Sequence, residues 1–237
     1  MGDGADLNRR RGSGFARLLR ISAIVAPDAQ FALTVAVPNR VVHNSAMARP
    51  AEFDRNEART RALRLFWRKG YQAASLTDLL DVMEIGRSSF YAAFGDKRSL
   101  FVECLDLYAD HTQGLLAQAR RQAAPLTAIE DFLALGETPI GQDVAAWGCL
   151  LVNTSLEMAD VDPAVAAHAS EHLVAVEGVF EAVLLERGVD PAQAQALAGL
   201  LMRLLEGLRV ASRRSVPAKA RHAQVRTAFR VLESTLN

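Results

Sequence analysis

From just after Pro50 almost to the end of the chain, apolar residues recur at helical spacing, and no alternating Val/Ile-rich run with hairpin glycines interrupts them. The pattern predicts an all-α fold. A first helix is expected from about Asp54 to Lys69, with Ala58, Ala62, Leu65 and Phe66 on one face and Gly70 where a helix-ending glycine belongs. Ser75-Leu76-Thr77-Asp78 reads as a capping box opening a short second helix that carries Leu79, Leu80 and Met83. Glu84-Ile85-Gly86 breaks the pattern, and a third short helix follows from Arg87 to about Phe94, its inner side made by Phe90 and Phe94. Three helices, two of them short and joined by a tight turn, make a helix-turn-helix unit.

A long helix is expected from Lys97 to about Ala123, with Leu100, Cys104, Leu107, His111 and Leu115 at core-like spacing. Beyond it the pattern predicts helices at about Leu126–Leu135, Val144–Ala159, Pro163–Arg187, Pro191–Arg213 and Pro217–Leu236. Prolines 125, 163, 191 and 217 sit at the starts, where a missing N–H costs nothing. The helix from Pro191 bears a stripe of Leu197, Leu200, Leu201, Leu204, Leu205 and Leu208, which calls for a partner helix from the same chain or from a second copy.

The first residues read differently. Arg9 to Arg11, a Gly-Ser-Gly and apolar patches without sustained periodicity suggest a poorly ordered extension over residues 1–47, with Met47 as an alternative start. An export signal, with the arginines as its basic region and Leu18 to Ala26 as its apolar region, fits less well.

With 50% hydrophobic and 23% charged residues, the 237-residue chain has the profile of a folded globular protein. Its zero net charge argues against nucleic-acid binding only if the charge is evenly spread, and it is not. From Arg49 to Leu76 seven basic residues face three acids, whereas from His111 onward eleven basic residues face fourteen. Two cysteines without metal or redox spacing suit a reducing cytoplasm. No apolar run reaches the roughly 18 residues that cross a bilayer, so no membrane partner is expected.

Phe66 to Phe101 resembles the DNA-binding domain of the TetR family of bacterial regulators. The resemblance runs through Gly70-Tyr71, the Ser75 to Leu80 stretch, Ile85-Gly86-Arg87-Ser88-Ser89-Phe90-Tyr91, Phe94, and Asp96-Lys97-Arg98-Ser99-Leu100-Phe101. It implies a DNA-binding domain over 48–105 and a ligand-sensing, dimerising helical domain over 106–237. Arg87, Ser88 and Ser89 stand at the amino end of the third helix, which enters the major groove in this motif, and a guanidinium there can meet a guanine edge bidentately. Tyr91 joins them as a donor to phosphates or base edges. Ser75, Thr77 and Lys97 open the neighbouring helices, where free N–H groups attract backbone phosphate. Two departures stand out: Gly86 replaces a common Ser or Thr cap, and Ser88 a frequent glycine. Ala92, often a larger polar or aromatic residue in the family, offers only a methyl.

The same resemblance implies a homodimer on a palindromic double-stranded operator, held together by the last two long helices, and a pocket for a small-molecule effector among the middle helices. His111, Trp147, Cys149 and Leu151 are the candidate pocket residues. Cys149 reads either as a reactive thiol or as a small buried apolar residue. His168 and His172, four apart, have a spacing that can hold a metal but lack a third ligand in the sequence nearby. A redox or metal sensor is therefore the alternative to a ligand-released repressor. Paired carboxylates, a phosphate-binding glycine loop and GxSxG are all missing, so neither an enzyme nor a cofactor is expected.

Overall fold

A computed structural model describes residues 53–135 and 144–236, and the expectation of a poorly ordered extension over 1–47 lies outside them. The described residues are mostly helical, with no strand among them. They form two compact units, residues 53–107 and residues 108–236.

The first unit begins with α1 (Arg55–Lys69), started by Asp54, whose carboxylate accepts the N–H groups of Asn56 and Glu57 at 2.8 and 3.1 Å. Gly70 ends it at a φ of 86°, a conformation that a side chain would resist. Then come α2 (Leu76–Met83), α3 (Arg87–Phe94) and the start of α4 (Lys97–Gln122). Ala62, Phe66, Leu79, Met83, Phe90, Phe94, Leu100 and Phe101 form the interior. The Phe66 and Phe101 rings meet edge to face at 4.8 Å. The predicted inner faces of the first three helices are thus the buried ones. The turn between α2 and α3 is made by Glu84, in the left-handed region at φ 56° and ψ 40°, and the Arg61 guanidinium reaches its carboxylate at 2.6 Å.

The second unit comprises the rest of α4, α5 (Pro125–Leu135), a 3-10 turn (Val144–Trp147), α6 (Leu150–Glu157), α7 (Pro163–Glu186), α8 (Pro191–Arg213) and α9 (Ala218–Leu236). Its core gathers Leu116, Ile129, Phe132, Phe180, Met202 and Phe229 with their neighbours. Asp162 and Asp190 cap α7 and α8, each followed by proline at the first helical position. Pro217 falls just outside α9. The leucine stripe of α8 divides: Leu201, Leu205 and Leu208 are buried, Leu197 and Leu204 are partly buried, and Leu200 is 64% exposed.

One predicted helix is wrong. Val144–Ala159 is not continuous, because Gly148 adopts φ 74° between the 3-10 turn and α6. A β-carbon there would stand 2.9 Å from Arg213 Cγ and 3.1 Å from the Arg209 carbonyl oxygen, so the turn is packed directly onto α8. Glycine supplies both the left-handed backbone and the close approach.

Candidate nucleic-acid interface

The amino end of α3 is bare. Its N-cap, Gly86, makes no side-chain capping bond, and the Gly86 carbonyl accepts only the Phe90 N–H, at 3.0 Å. Arg87, Ser88 and Ser89 follow, all exposed, while Phe90 and Phe94 fix the opposite side of the helix in the core. Among the described residues the Arg87 side chain takes part in no hydrogen bond or ion pair, which leaves its five donors available outward. Tyr91 is 47% exposed, with its ring edge against Phe90 at 5.5 Å. Ala92 is exposed as well.

The flanking residues are placed by local chemistry. Ser75 Oγ accepts the Asp78 N–H at 3.0 Å and donates to Asp78 Oδ2 at 2.8 Å, while Asp78 Oδ2 accepts the Ser75 N–H at 3.0 Å. The expected capping box is complete, and it occupies the Ser75 hydroxyl. Lys69 lies 3.0 Å from the same aspartate. The Ser75 backbone N–H, the Lys69 ammonium and the Ser75 hydroxyl together hold the Asp78 carboxyl down to about 2. Thr77, also exposed, has no internal hydrogen bond among the described residues.

Lys97 opens α4 with its ammonium 4.3 Å from the centre of the Tyr71 ring. Asp96 caps that helix by accepting the Ser99 N–H at 2.7 Å, a bond that also lowers the carboxyl's pKa. One of the N–H groups expected to be free for phosphate is therefore already taken. The basic residues of α1 are largely engaged: Arg61 pairs with Glu57 and Glu84, and Arg55 and Arg59 lie by Glu103.

In the second unit the candidate pocket residues are brought only partly together. Cys149, the N-cap of α6, is buried, and its sulfur accepts from the Tyr108 hydroxyl. Burial first, and the thiol second, push the Tyr108 phenol well above its ordinary range, opposed by Arg209 and the Leu150 N–H. His111 is half-buried one turn along α4, and burial lowers its pKa. Leu151 is core, and Trp147 is half-buried with its carbonyl accepting from the Asn153 amide at 2.8 Å. Tyr108 and Arg209 went unnoticed in the sequence, although Tyr108 stands three residues before His111, on the same helical face. His168 and His172 are half-buried with ring centres 4.8 Å apart. Cys104 is a core residue whose thiol is pushed up well above its usual range by burial.

Comparison with known proteins bears on both halves of the chain. Residues 59–104 match the family described as "Bacterial regulatory proteins, tetR family", and residues 125–216 match "Transcriptional regulator LmrA/YxaF-like, C-terminal domain". Among solved structures, a cysteine mutant of the TetR family transcriptional regulator CifR in complex with 26 bp double-strand operator DNA is 30% identical, with a TM-score of 0.66. That similarity covers 77% of this chain and 98% of CifR.

The chain belongs to the TetR family of transcriptional regulators.

Two curated relatives are consistent with the placement. The repressor ComR of Escherichia coli is 34% identical over 110 residues, covering 44% of this chain and 51% of ComR, so the chain matches about half the length of that relative. The uncharacterised regulator YezE of Bacillus subtilis is 29% identical over 135 residues, covering 56% of this chain and 70% of YezE. As a TetR-family chain it joins a family-typical helix-turn-helix unit to a helical second unit. Among the described residues no helix is long and apolar enough to cross a membrane.

Proposed function

We propose that this chain is a repressor that binds a palindromic operator as a homodimer through α3 and lets go when a small molecule occupies its second unit. The observation that carries the reading is the capless amino end of α3, where Arg87 stands exposed and unengaged among the described residues beside Ser88 and Ser89. A guanidinium so placed can read guanine O6 and N7 in the major groove. Ser88, Ser89 and Tyr91 add contacts to bases or phosphates, and Thr77 and Lys97 anchor the backbone, with Ser75 setting the start of α2. The operator complex of CifR supports the reading by analogy.

One such unit makes too few contacts for specificity at physiological salt, and two-fold pairing remedies this. Leu200, Val210 and Val231 on the last two helices are 64%, 43% and 60% exposed in a single chain, a surface that a second copy would cover. The domain division proposed is DNA binding over 48–105 and sensing with dimerisation over 106–237. The effector is assigned to the surroundings of Tyr108, His111, Trp147, Cys149 and Leu151. Its binding acts on DNA only by favouring one of two conformations, with α4 as the helix that belongs to both units. Such a regulator works in the cytoplasm, with no catalytic step.

Selection of bound duplexes from a random pool tests this. The expected product is an inverted repeat bound by two chains. Arg87→Ala should relax preference at one position per half-site, at a cost of about 1–3 kcal/mol, whereas Lys97→Ala should weaken all sequences alike and flatten the salt dependence. Identical behaviour of the two variants would refute the division into readout and anchoring.

A further inference from the structure

Arg55 is the first residue of α1, and its side chain holds the far end of α3. Nε and Nη2 both donate to the Ala93 carbonyl, at 3.2 and 3.1 Å. Nη2 also donates to both carboxylate oxygens of Glu103, at 2.7 and 2.9 Å. The guanidinium carbon lies 4.6 Å from the centre of the Phe94 ring, and Phe94 is buried. Arg59 Nη1 approaches the same carboxylate at 3.9 Å. One guanidinium thus joins three helices: α1, which carries it, the last turn of α3, and α4, which carries Glu103.

The chemistry suits the place. The last carbonyls of a helix have no partner within it and form its negative end. The Tyr91 carbonyl is taken by the Gly95 N–H and the Phe94 carbonyl by the Asp96 N–H, both at 3.0 Å, and Arg55 supplies donors for Ala93. A cation is favoured at that end, and the planar guanidinium fork lets one side chain donate to a carbonyl and a carboxylate together in fixed geometry. As a plain surface ion pair the contact would contribute little to stability, since Arg55 and Glu103 are 42% and 30% exposed.

Its leverage is geometric. The eight residues of α3 span about 12 Å, so a shift of about 1 Å at the Ala93 end swings the helix by roughly 5°. Base-edge hydrogen bonds from Arg87 require close alignment, whereas a lysine on a phosphate adapts. We propose that Arg55 is a positioning residue: it sets the angle at which α3 meets the groove and, through Glu103, makes that angle follow α4. This rests on the DNA-binding reading above. Arg55 touches no base in the proposal, and it acts through α3.

The test uses the full chain carrying Arg55→Lys, Arg55→Ala, Glu103→Gln, or Arg55→Ala with Glu103→Gln. Each is checked for folding and then titrated by fluorescence anisotropy against two duplexes, one selected by the parent protein from a random pool and a scrambled copy of it. Arg55→Ala should weaken the selected duplex roughly fivefold to tenfold while leaving the scrambled one and the salt slope unchanged. Glu103→Gln should act in the same direction, the double variant should be no worse than Arg55→Ala, and Arg55→Lys should fall between it and the parent. If only the melting temperature falls and discrimination between duplexes is kept, the residue is structural and the proposal is overturned. Equal weakening of both duplexes overturns it too, because that marks a direct phosphate contact. A parent chain that selects no duplex would instead defeat the DNA-binding reading, and this inference with it.

Discussion

Replacing Gly148 by alanine puts a methyl group where the backbone has φ 74° and where α8 already stands close. The left-handed backbone costs a residue with a β-carbon about 1–2 kcal/mol. Of the atoms the methyl would meet, Arg213 Cγ and Cδ, at 2.9 and 3.1 Å, belong to an exposed side chain that can swing away. The Arg209 carbonyl oxygen at 3.1 Å belongs to the α8 backbone and cannot, so the turn must move by a few tenths of an ångström. Overpacking of that kind adds about 1–2 kcal/mol. Together the two effects destabilise by about 2–4 kcal/mol, which in a chain of this size lowers the melting temperature by about 5–15 °C. Gly178→Ala is the control: it lies inside α7 with nothing within 4 Å of the added carbon. Relief of glycine's entropy should there raise stability by about 0.5–1 kcal/mol. Thermal unfolding followed by circular dichroism decides the matter. A Gly148→Ala chain that melts with the parent, or a Gly178→Ala chain that loses more, would refute the account of the turn that places Cys149 against Tyr108.

Two further predictions concern charge. Asp78, depressed from 3.8 to about 2, adds stability that is present above its unfolded value and lost as pH falls from about 4 towards 2. Asp78→Asn should therefore melt lower at neutral pH and lose less on acidification through that window, and parallel melting profiles would contradict it. Glu130 on α5 is raised, first by burial and then by Asp131 and Glu233, against the opposing Arg226. A carboxyl raised on folding gains stability as pH falls through its folded value and is penalised above it. Glu130→Gln should raise the melting temperature at neutral pH slightly, the group being only half-buried, and remove that gain on acidification. A lower melting temperature at neutral pH would count against the reasoning.

What could be read from the sequence was whatever neighbouring residues decide. The Ser75–Asp78 capping box, the Gly70 helix end and the proline-led starts of α7 and α8 depend on residues a few positions apart, so spacing alone exposes them. The break at Gly148 was missed because one glycine in an apolar run is compatible with a helix. Its cause, the approach of the α8 backbone, lies far along the chain. The leucine stripe of α8 was visible, but which leucines point inward depends on where α5, α7 and α9 pack. The exposed face of α3 was legible because Phe90 and Phe94 fix the inner side and leave the rest outward. Tyr108 against Cys149 and Arg55 against Ala93 and Glu103 were not, since each joins distant segments through side chains that have other ordinary uses.

The most direct measurement of whether Arg87 reads the operator is interference by methylating guanine N7 in a duplex the chain selects. Methylation at one guanine in each half-site should block the parent protein, because it removes the acceptor that the guanidinium uses, while Arg87→Ala should bind methylated and unmodified duplex alike. If methylation at every guanine leaves the parent's binding unchanged, or if the parent and Arg87→Ala are blocked equally at the same base, the outward arginine of α3 is not what recognises DNA.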